Sequence, residues 1–386
     1  MKYSELSLTW FGDVTSIGEE AKYARAILKP LIDNGAKIRL ELLNSGLPQE
    51  NLSPWWQETL VRLTQNQSGF IRINHCNPDK GTNNPLGGPN VCLCHWDTIE
   101  FPNNWQSLIN MYSQFWITNF CESPFIVGTK VPVNSFPCIF YSSEQSAAKL
   151  PDCEFNAVDT STVILGAAGP WNQRSNMHDL IAAYCVEFSA KEDVCLALVI
   201  NSSTQDPNQK AQILSLIRSI KNTINKPDLP KIICIQDQLS ELSFAKLVNS
   251  FDIYVSTARG SSIDPAFNQA LANGALCVTP RTGIYTTVNR ILGTTNKQIR
   301  AVNVVKEPII NSPGANPYDR WTRIDIDHLC KEMRNAFIDS QTMDSSLKKK
   351  IEENKLTIDT KLSAESIVDR MATELIAMMP FKIKAF

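Results

Sequence analysis

The 386-residue sequence contains no run of eighteen or more apolar residues, so no membrane-spanning helix is expected. Nor does it carry a surplus of one charge. Its 37 Lys and Arg stand against 39 Asp and Glu, for a formal net charge of −2. A polyanion partner needs a basic surface, so nucleic acid is set aside as a partner. The N-terminus, MKYSELSLTWFGDV, lacks the basic-then-apolar pattern of a secretory signal. A disulfide framework is missing too, because the eleven cysteines are scattered and odd in number. Cys195, Cys234 and Cys277 lie in strand-like apolar runs, where the thiol behaves as a small hydrophobe. A reducing, cytoplasmic setting follows as the expectation. No metal site is expected. Cys92-x-Cys94 with His75 and His95 nearby suggests zinc at first sight, but the common structural sites use a two-residue gap. There is no internal repeat and no low-complexity tract. The first predicted strand runs into GDVTSIG rather than a G-x-G-x-x-G turn, which argues against a nicotinamide-dependent enzyme.

What the sequence does have is a length suited to two α/β domains and an apolar fraction of 43%, that of an ordinary globular protein. SLTWFG reads as a strand, DVTSIGEE as a loop, AKYARAILKPLIDNG as an amphipathic helix closed by Gly35, and AKIRLELL as the next strand. This is a βαβ unit, the building block of parallel sheets. A helix over Pro54–Thr64, strands in GFIRIN and NVCLCHW, a helix over Trp105–Tyr112 and a strand over Gln114–Ile117 continue the series. Pro132–Phe140 and the polar Ser142–Asp159 stretch read as a connector.

A second series begins at Thr162. Strands are predicted in VILGAAG, VCLALVI, KIICI, DIYVST and ALCVT, and helices over Met177–Phe188, Gln209–Ile224, Leu242–Asn249 and Pro265–Asn273, the last ended by Gly274. Two further helices are expected, Leu347–Glu353 and Ser363–Met379. The fold class expected is α/β, with two Rossmann-like parallel-sheet domains facing each other across a cleft. Their bounds are 1–158 and 159–361, and residues 362–386 form a helix returning to the first domain. In such sheets ligands sit beyond the C-terminal ends of the strands, and phosphates sit against helix N-termini. That directs attention to the loops Gly12–Glu19, Asn74–Asn90 with His95–Asp97, Gly166–Asn176 and Thr257–Asn268.

Five stretches, in order, resemble the family-4-type retaining glycosyltransferases (glycosyl transferases group 1). WFGDVTSIGEEAKYARAI looks like their glycine loop and first helix. HWDTIEFPNNWQSLINMYSQFWITNF is similar to a stretch reading W-E-T-x-x-x-P-x-x-W in one branch. WNQRSNMHDLIAAYCVEF resembles W-x-x-R-K-N-x-x-x-L-I-x-A-(F/Y). DIYVSTARGSSIDPAFNQALANGALCVTP matches the donor loop and helix, and WTRIDIDHLCKEMRNAF the trailing W-x-x-P-D-x-x-x-L-x-x-x-M-R. The resemblance implies the GT-B fold, a UDP- or GDP-type nucleotide-sugar held mainly by the C-terminal domain, and a carbohydrate or glycosylated acceptor held by the N-terminal one. It implies retention of anomeric configuration and no cofactor or obligatory metal. The chain departs from the family at three positions. Ser175 stands where a Lys is usual, and Ser261 and Gln269 stand where two glutamates are usual. A catalytically inactive relative, serving as a scaffold or sugar-binding partner subunit, is therefore the alternative. A homo-oligomer or a partner subunit is left open.

The chemistry such a donor demands assigns the candidates. Arg174 can meet a diphosphate bidentately, and with His95 and Asp97 it makes the catalytic set. Donor contacts are expected from Gly12, Gly18, Arg174, Ser175, Arg259, Gly260, Ser261, Ser262, Ile263, Asp264 and Gln269. Glycines there allow close backbone approach to a ligand, and the Gln269 amide can still hydrogen-bond a ribose. Asp13, Ser16 and His75 are the acceptor-side candidates. Ordinary turn glycines and satisfied structural histidines are the plain readings of the same residues, and Arg259 can equally form a surface ion pair.

Overall fold

The computed structural model describes residues 2–16, 18–43, 52–102, 104–119, 128–139, 159, 161–200, 207–236, 239–293, 296–310 and 320–379. The chain groups into two compact units. The first takes Met1–Trp96, Glu100–Phe140 and Asp359–Phe386, and the second takes Asp97–Ile99 and Tyr141–Ile358. The expected change of domain at 158/159 falls beside residues outside the described set, as does the Ser142–Asp159 connector apart from Asp159.

The first unit is built on strands β1 (Ser7–Gly12), β2 (Lys37–Leu42), β3 (Ile71–His75), β4 (Asn90–Cys94), β5 (Gln114–Ile117) and β6 (Val133–Ser135), in the order β2-β1-β3-β4-β5-β6. Every neighbouring pair is parallel. Helices α1 (Glu19–Asp33), α2 (Pro54–Thr64) and α3 (Trp105–Ile109) connect them. Strand β6 corrects the reading of Pro132–Phe140 as connector. Its three half-buried residues, Val-Asn-Ser, carry no apolar period, so pairing with β5 alone makes them a strand.

The second unit repeats the plan with β7 (Val163–Gly169), β8 (Val194–Ile200), β9 (Lys231–Ile235), β10 (Ile253–Val255), β11 (Leu276–Pro280) and β12 (Ile299–Val302), ordered β12-β11-β10-β7-β8-β9 and all parallel. Strand β8 is buried at all seven residues, as a strand covered on both faces must be. Helices α4 (Met177–Glu187), α5 (Pro207–Ile224), α6 (Glu241–Asn249), α7 (Pro265–Asn273), α8 (Gly283–Leu292), α9 (Ile326–Thr342) and α10 (Ser345–Thr357) complete it, with an antiparallel pair β13 (Val304–Pro308) and β14 (Arg320–Ile324). A π-helical turn over Ile358–Leu362 then leads into α11 (Ala364–Ala377).

Helix α11 belongs to the first unit and packs on α1. Arg370 there donates to the Ser135 carbonyl at 3.0 Å, Lys2 meets Asp369 at 2.6 Å, and the Ile139 amide bonds the Leu362 carbonyl at 2.7 Å. The expected return of the C-terminal helix to the first domain is thus observed. No described helix is long and apolar enough to cross a membrane.

Both sheets reverse strand order once, between β1 and β3 in the first and between β7 and β10 in the second. At such a switch point adjacent loops leave in opposite directions and open a crevice beyond the strand ends. Packing just below the second one is tight. A Cβ built on Gly166 of β7 would lie 2.1 Å from the Phe251 ring. Gly166→Ala is therefore expected to cost about 1–3 kcal/mol of overpacking strain. Chemical denaturation of the variant checks it, and an unchanged midpoint would show that Phe251 yields.

Candidate functional site

In the first unit, the switch point is formed by the loop after β1 and the ends of β3 and β4. Gly12 ends β1, and a Cβ there would fall 2.7 Å from the His75 carbonyl. The approach of β3 thus already requires glycine here. Asp13 turns back on the loop, its Oδ1 accepting from the Thr15 and Ser16 amides at 3.1 Å each. The Ser16 hydroxyl accepts from the Gly18 amide at 3.2 Å, and Gly18 caps α1 in an ordinary extended conformation. Arg25, buried in α1, donates to the carbonyls of Val14 and Ser16 at 2.8 Å each. The amides of Thr15, Ser16 and Gly18 are thereby answered by the loop's own carboxylate and hydroxyl.

The sequence offers His75 and His95 as separate candidates, on the acceptor side and in catalysis. The structure joins them. Their Nε2 atoms lie 2.5 Å apart, and His95 Nδ1 is 2.9 Å from the Thr118 hydroxyl. Trp10 and Tyr23 wall the pair, with ring centroids 5.1 Å from His75 and 4.9 Å from His95. Burial lowers the pKa of His75 to about 3, partly opposed by Asp13. Burial also holds His95 well below the ordinary value, reinforced by His75. Both rings are neutral at pH 7, so one nitrogen of the close pair donates and the other accepts. As neutral rings they offer polar contacts and no positive charge.

The Cys92 and Cys94 side chains lie in an apolar cluster with Phe101, Trp105, Ile109 and Phe115. Among the described residues no group of three or more His, Cys, Asp or Glu side chains could hold a metal. The Asp79–Asn90 loop is tied down by amides. Asn84 donates to the Phe70 and Pro89 carbonyls at 2.8 and 3.1 Å, and Asn74 to Asn90 at 2.6 Å.

In the second unit, the loops after β7 and β10 run together. Arg259 N donates to the Arg174 carbonyl at 2.8 Å, and the Thr257 hydroxyl bonds the carbonyls of Ser175 and Asn176 at 3.1 and 2.9 Å. Asn176 caps α4 from the left-handed region, φ 52° and ψ 38°, a conformation asparagine tolerates. The Ser175 amide donates to Asn172 Oδ1 at 2.9 Å. Arg174 is left 28% exposed, and its Nη1 meets Asp97 Oδ2 at 2.5 Å. The other Asp97 oxygen accepts from both the amide and the hydroxyl of Ser262, each at 2.7 Å. A Cβ on Gly260 would lie 1.7 Å from the Asp97 carbonyl, so glycine there makes room for this segment.

The remaining candidates have structural partners. The Ser261 hydroxyl donates to the Ile263 carbonyl at 2.7 Å, and the Ser261 carbonyl accepts from the Ile284 amide at 2.8 Å. Ile263 is a core residue. Gln269 gives its amide to Asn249 Oδ1 at 2.6 Å. Asp264 caps α7, accepting from the Phe267 amide at 2.9 Å and from the hydroxyls of Tyr254 and Tyr285 at 2.8 and 2.7 Å. Burial raises its pKa, with these hydrogen bonds and the charge of Arg174 pulling the other way. Arg259 pairs with Glu307 and lies 5.1 Å over the Trp321 ring.

Arg174, Ser262 and Asp97 are thus the candidates brought into contact here, with Gly260 beside them. Sequence reasoning missed the supports: Thr257, Asn176, and the buried amide of Gln298. That amide donates to the Leu271 and Ala275 carbonyls at 3.1 and 3.0 Å and so closes the C-terminal end of α7.

No family model and no curated protein matches the sequence. Solved structures do match over nearly the whole chain. A glycosyltransferase from Rickettsia africae ESF-5 aligns with a TM-score of 0.61 and 11% identity, over 97% of this chain and 98% of that one. A UDP-forming alpha,alpha-trehalose-phosphate synthase from Burkholderia xenovorans aligns at 0.65 and 10%, over 97% and 100%. A trehalose-6-phosphate protein from E. coli, bound with UDP-2-fluoro glucose, aligns at 0.60 and 12%, over 97% and 100%. Identity this low speaks for architecture only, and the architecture is GT-B.

Proposed function

On the premise of a GT-B fold, we propose that the chain is a glycosyltransferase moving a sugar from a UDP- or GDP-type donor to a carbohydrate or glycosylated acceptor. The observation that carries the reading is the cluster at the second unit's switch point, where Arg174 and the Ser262 amide and hydroxyl converge on one anion. In sugar transfer the bond from the anomeric carbon to the diphosphate oxygen breaks. A new bond forms to an acceptor hydroxyl, whose proton passes to the departing diphosphate oxygen. Negative charge grows on the departing diphosphate, and fixed donors aimed at it stabilise the transition state more than the ground state. In this proposal that charge falls to Arg174 and Ser262 rather than to a metal ion. Retention is proposed from the motif resemblance. A similar structure bound with UDP-2-fluoro glucose supports the donor class.

A second reading has its own observation. The two positions expected to be acidic are Ser261 and Gln269, and both side chains are bonded to protein partners. A nucleotide-binding but inactive partner subunit fits that as well, and donor hydrolysis followed by mass spectrometry separates the two. Arg174→Ala is expected to weaken UDP or GDP binding about tenfold or more, the loss of about 1.5–3 kcal/mol typical of a charged hydrogen bond. Calorimetric titration checks this. Equal affinity in the variant would remove Arg174 from the donor site, and no nucleotide binding at millimolar concentration would sink the proposal itself.

A further inference from the structure

We propose that Asp97 is an internal stand-in for the ligand. Its carboxylate occupies an anion cradle made by Arg174 and Ser262, and a diphosphate must displace it to bind. The inference rests on the donor-site reading above and adds a regulation of that site.

Three donors of different kinds meet the carboxylate. The Arg174 guanidinium reaches one oxygen at 2.5 Å, and the Ser262 amide and hydroxyl reach the other at 2.7 Å each. A guanidinium, a backbone N–H and a hydroxyl are the groups that bind phosphate oxygens. The segment is seated with some care. Gly260 leaves out the Cβ that would collide with the Asp97 carbonyl, and two residues on, the Ile99 amide donates to the Arg320 carbonyl at 3.0 Å. The contact is nevertheless open to solutes, because the side chains of Arg174 and Asp97 are 28% and 34% exposed.

In the first unit Asp13 accepts from the Thr15 and Ser16 amides two and three residues on, a purely local turn. In the second unit the occupant comes from a segment distant in sequence, so it can leave without unfolding the loop that it fills.

Occupation by a tethered carboxylate lowers apparent affinity by the fraction of time that the cradle is free. If the cradle is filled nine-tenths of the time, emptying it raises anion affinity about tenfold. The test uses the full chain with inorganic pyrophosphate as probe, read by calorimetry. UDP and GDP are titrated in parallel. Asp97→Asn keeps the shape and removes the charge, and Asp97→Ser serves as a second variant should the first fold poorly. Pyrophosphate affinity is expected to rise about tenfold in either variant, and the gain should vanish when Arg174→Gln is added. A folded Asp97 variant with affinity equal to or below that of the parent chain overturns the inference. If pyrophosphate tightens as expected but UDP and GDP bind to none of the proteins, the displacement stands and the nucleotide-sugar reading falls.

Discussion

Acidification from pH 7 to 4.5 is expected to take about 2–3 kcal/mol from the stability of the first unit through His75 alone. The folded ring keeps its proton only near pH 3, because Trp10, Tyr23 and His95 surround it and burial disfavours the cation. In the unfolded chain the same ring takes a proton near 6.5. Below that value the unfolded state binds more protons. The stabilising contribution is therefore complete above about 6.5 and is lost as pH falls toward 3. His95 acts in the same direction. Urea unfolding at a series of pH values measures the slope, and His75→Gln should flatten it, since an amide bonds without titrating. A slope identical in the two proteins would mean that the histidine pair does not govern acid sensitivity.

Asp264→Ala is expected to destabilise the second unit by about 2–4 kcal/mol, because its carboxylate supports α7. Loss of the helix cap accounts for about 1 kcal/mol. The Tyr254 hydroxyl, buried beside it, loses its acceptor at about 1–3 kcal/mol. Tyr285 suffers less, because its hydroxyl also lies 2.8 Å from Ser256 Oγ. Asp264→Asn should cost less than alanine, since its carbonyl oxygen still caps the Phe267 amide. Thermal and urea denaturation of both variants decide the point, and a near-neutral alanine variant would refute it. The pH dependence runs opposite to that of the histidines. Burial raises the folded carboxyl's pKa above the unfolded value, so its contribution is full below about 3.8 and fades as pH rises through the folded value. Acid thus weakens one unit through its rings while this carboxyl favours the other.

The parts of the fold legible in the sequence are those with local causes. Asp264-Pro265 before an apolar stripe and Gly274 after it mark both ends of α7, and Gly274 adopts φ 98° as a helix-closing glycine does. Strand β8 could be read from seven consecutive apolar residues. Helix α8 escaped because GIYTTVNRIL is rich in β-branched residues and reads more like a strand. Strands β13 and β14 escaped because VVKEP and RWTRI make sense only when paired.

The site divides in the same way. Arg174 and Ser262 were marked by their neighbours in the chain. Their meeting with Asp97 spans 77 and 165 residues, and no spacing rule reaches that far. The histidine pair is likewise a matter of register. His75 lies opposite Leu93 across β3 and β4, which brings a residue two places on within reach. Asp264 drew a functional reading from its place in a recognisable motif, whereas its burial against two tyrosines is a tertiary fact.

The π-helical turn at Ile358–Leu362 has a bearing on how the protein is made. Everything before it reaches the ribosome exit first, including nearly all of the second unit, whose residues are contiguous apart from Asp97–Ile99. Helix α1 of the first unit precedes the second unit in the chain, yet its packing partner α11 follows it. During translation the N-terminal sheet therefore stands with one flank uncovered while the later unit completes itself. A stalled or truncated chain ending before Ala364 would leave α1 without that partner, a surface for chaperones and proteases to find.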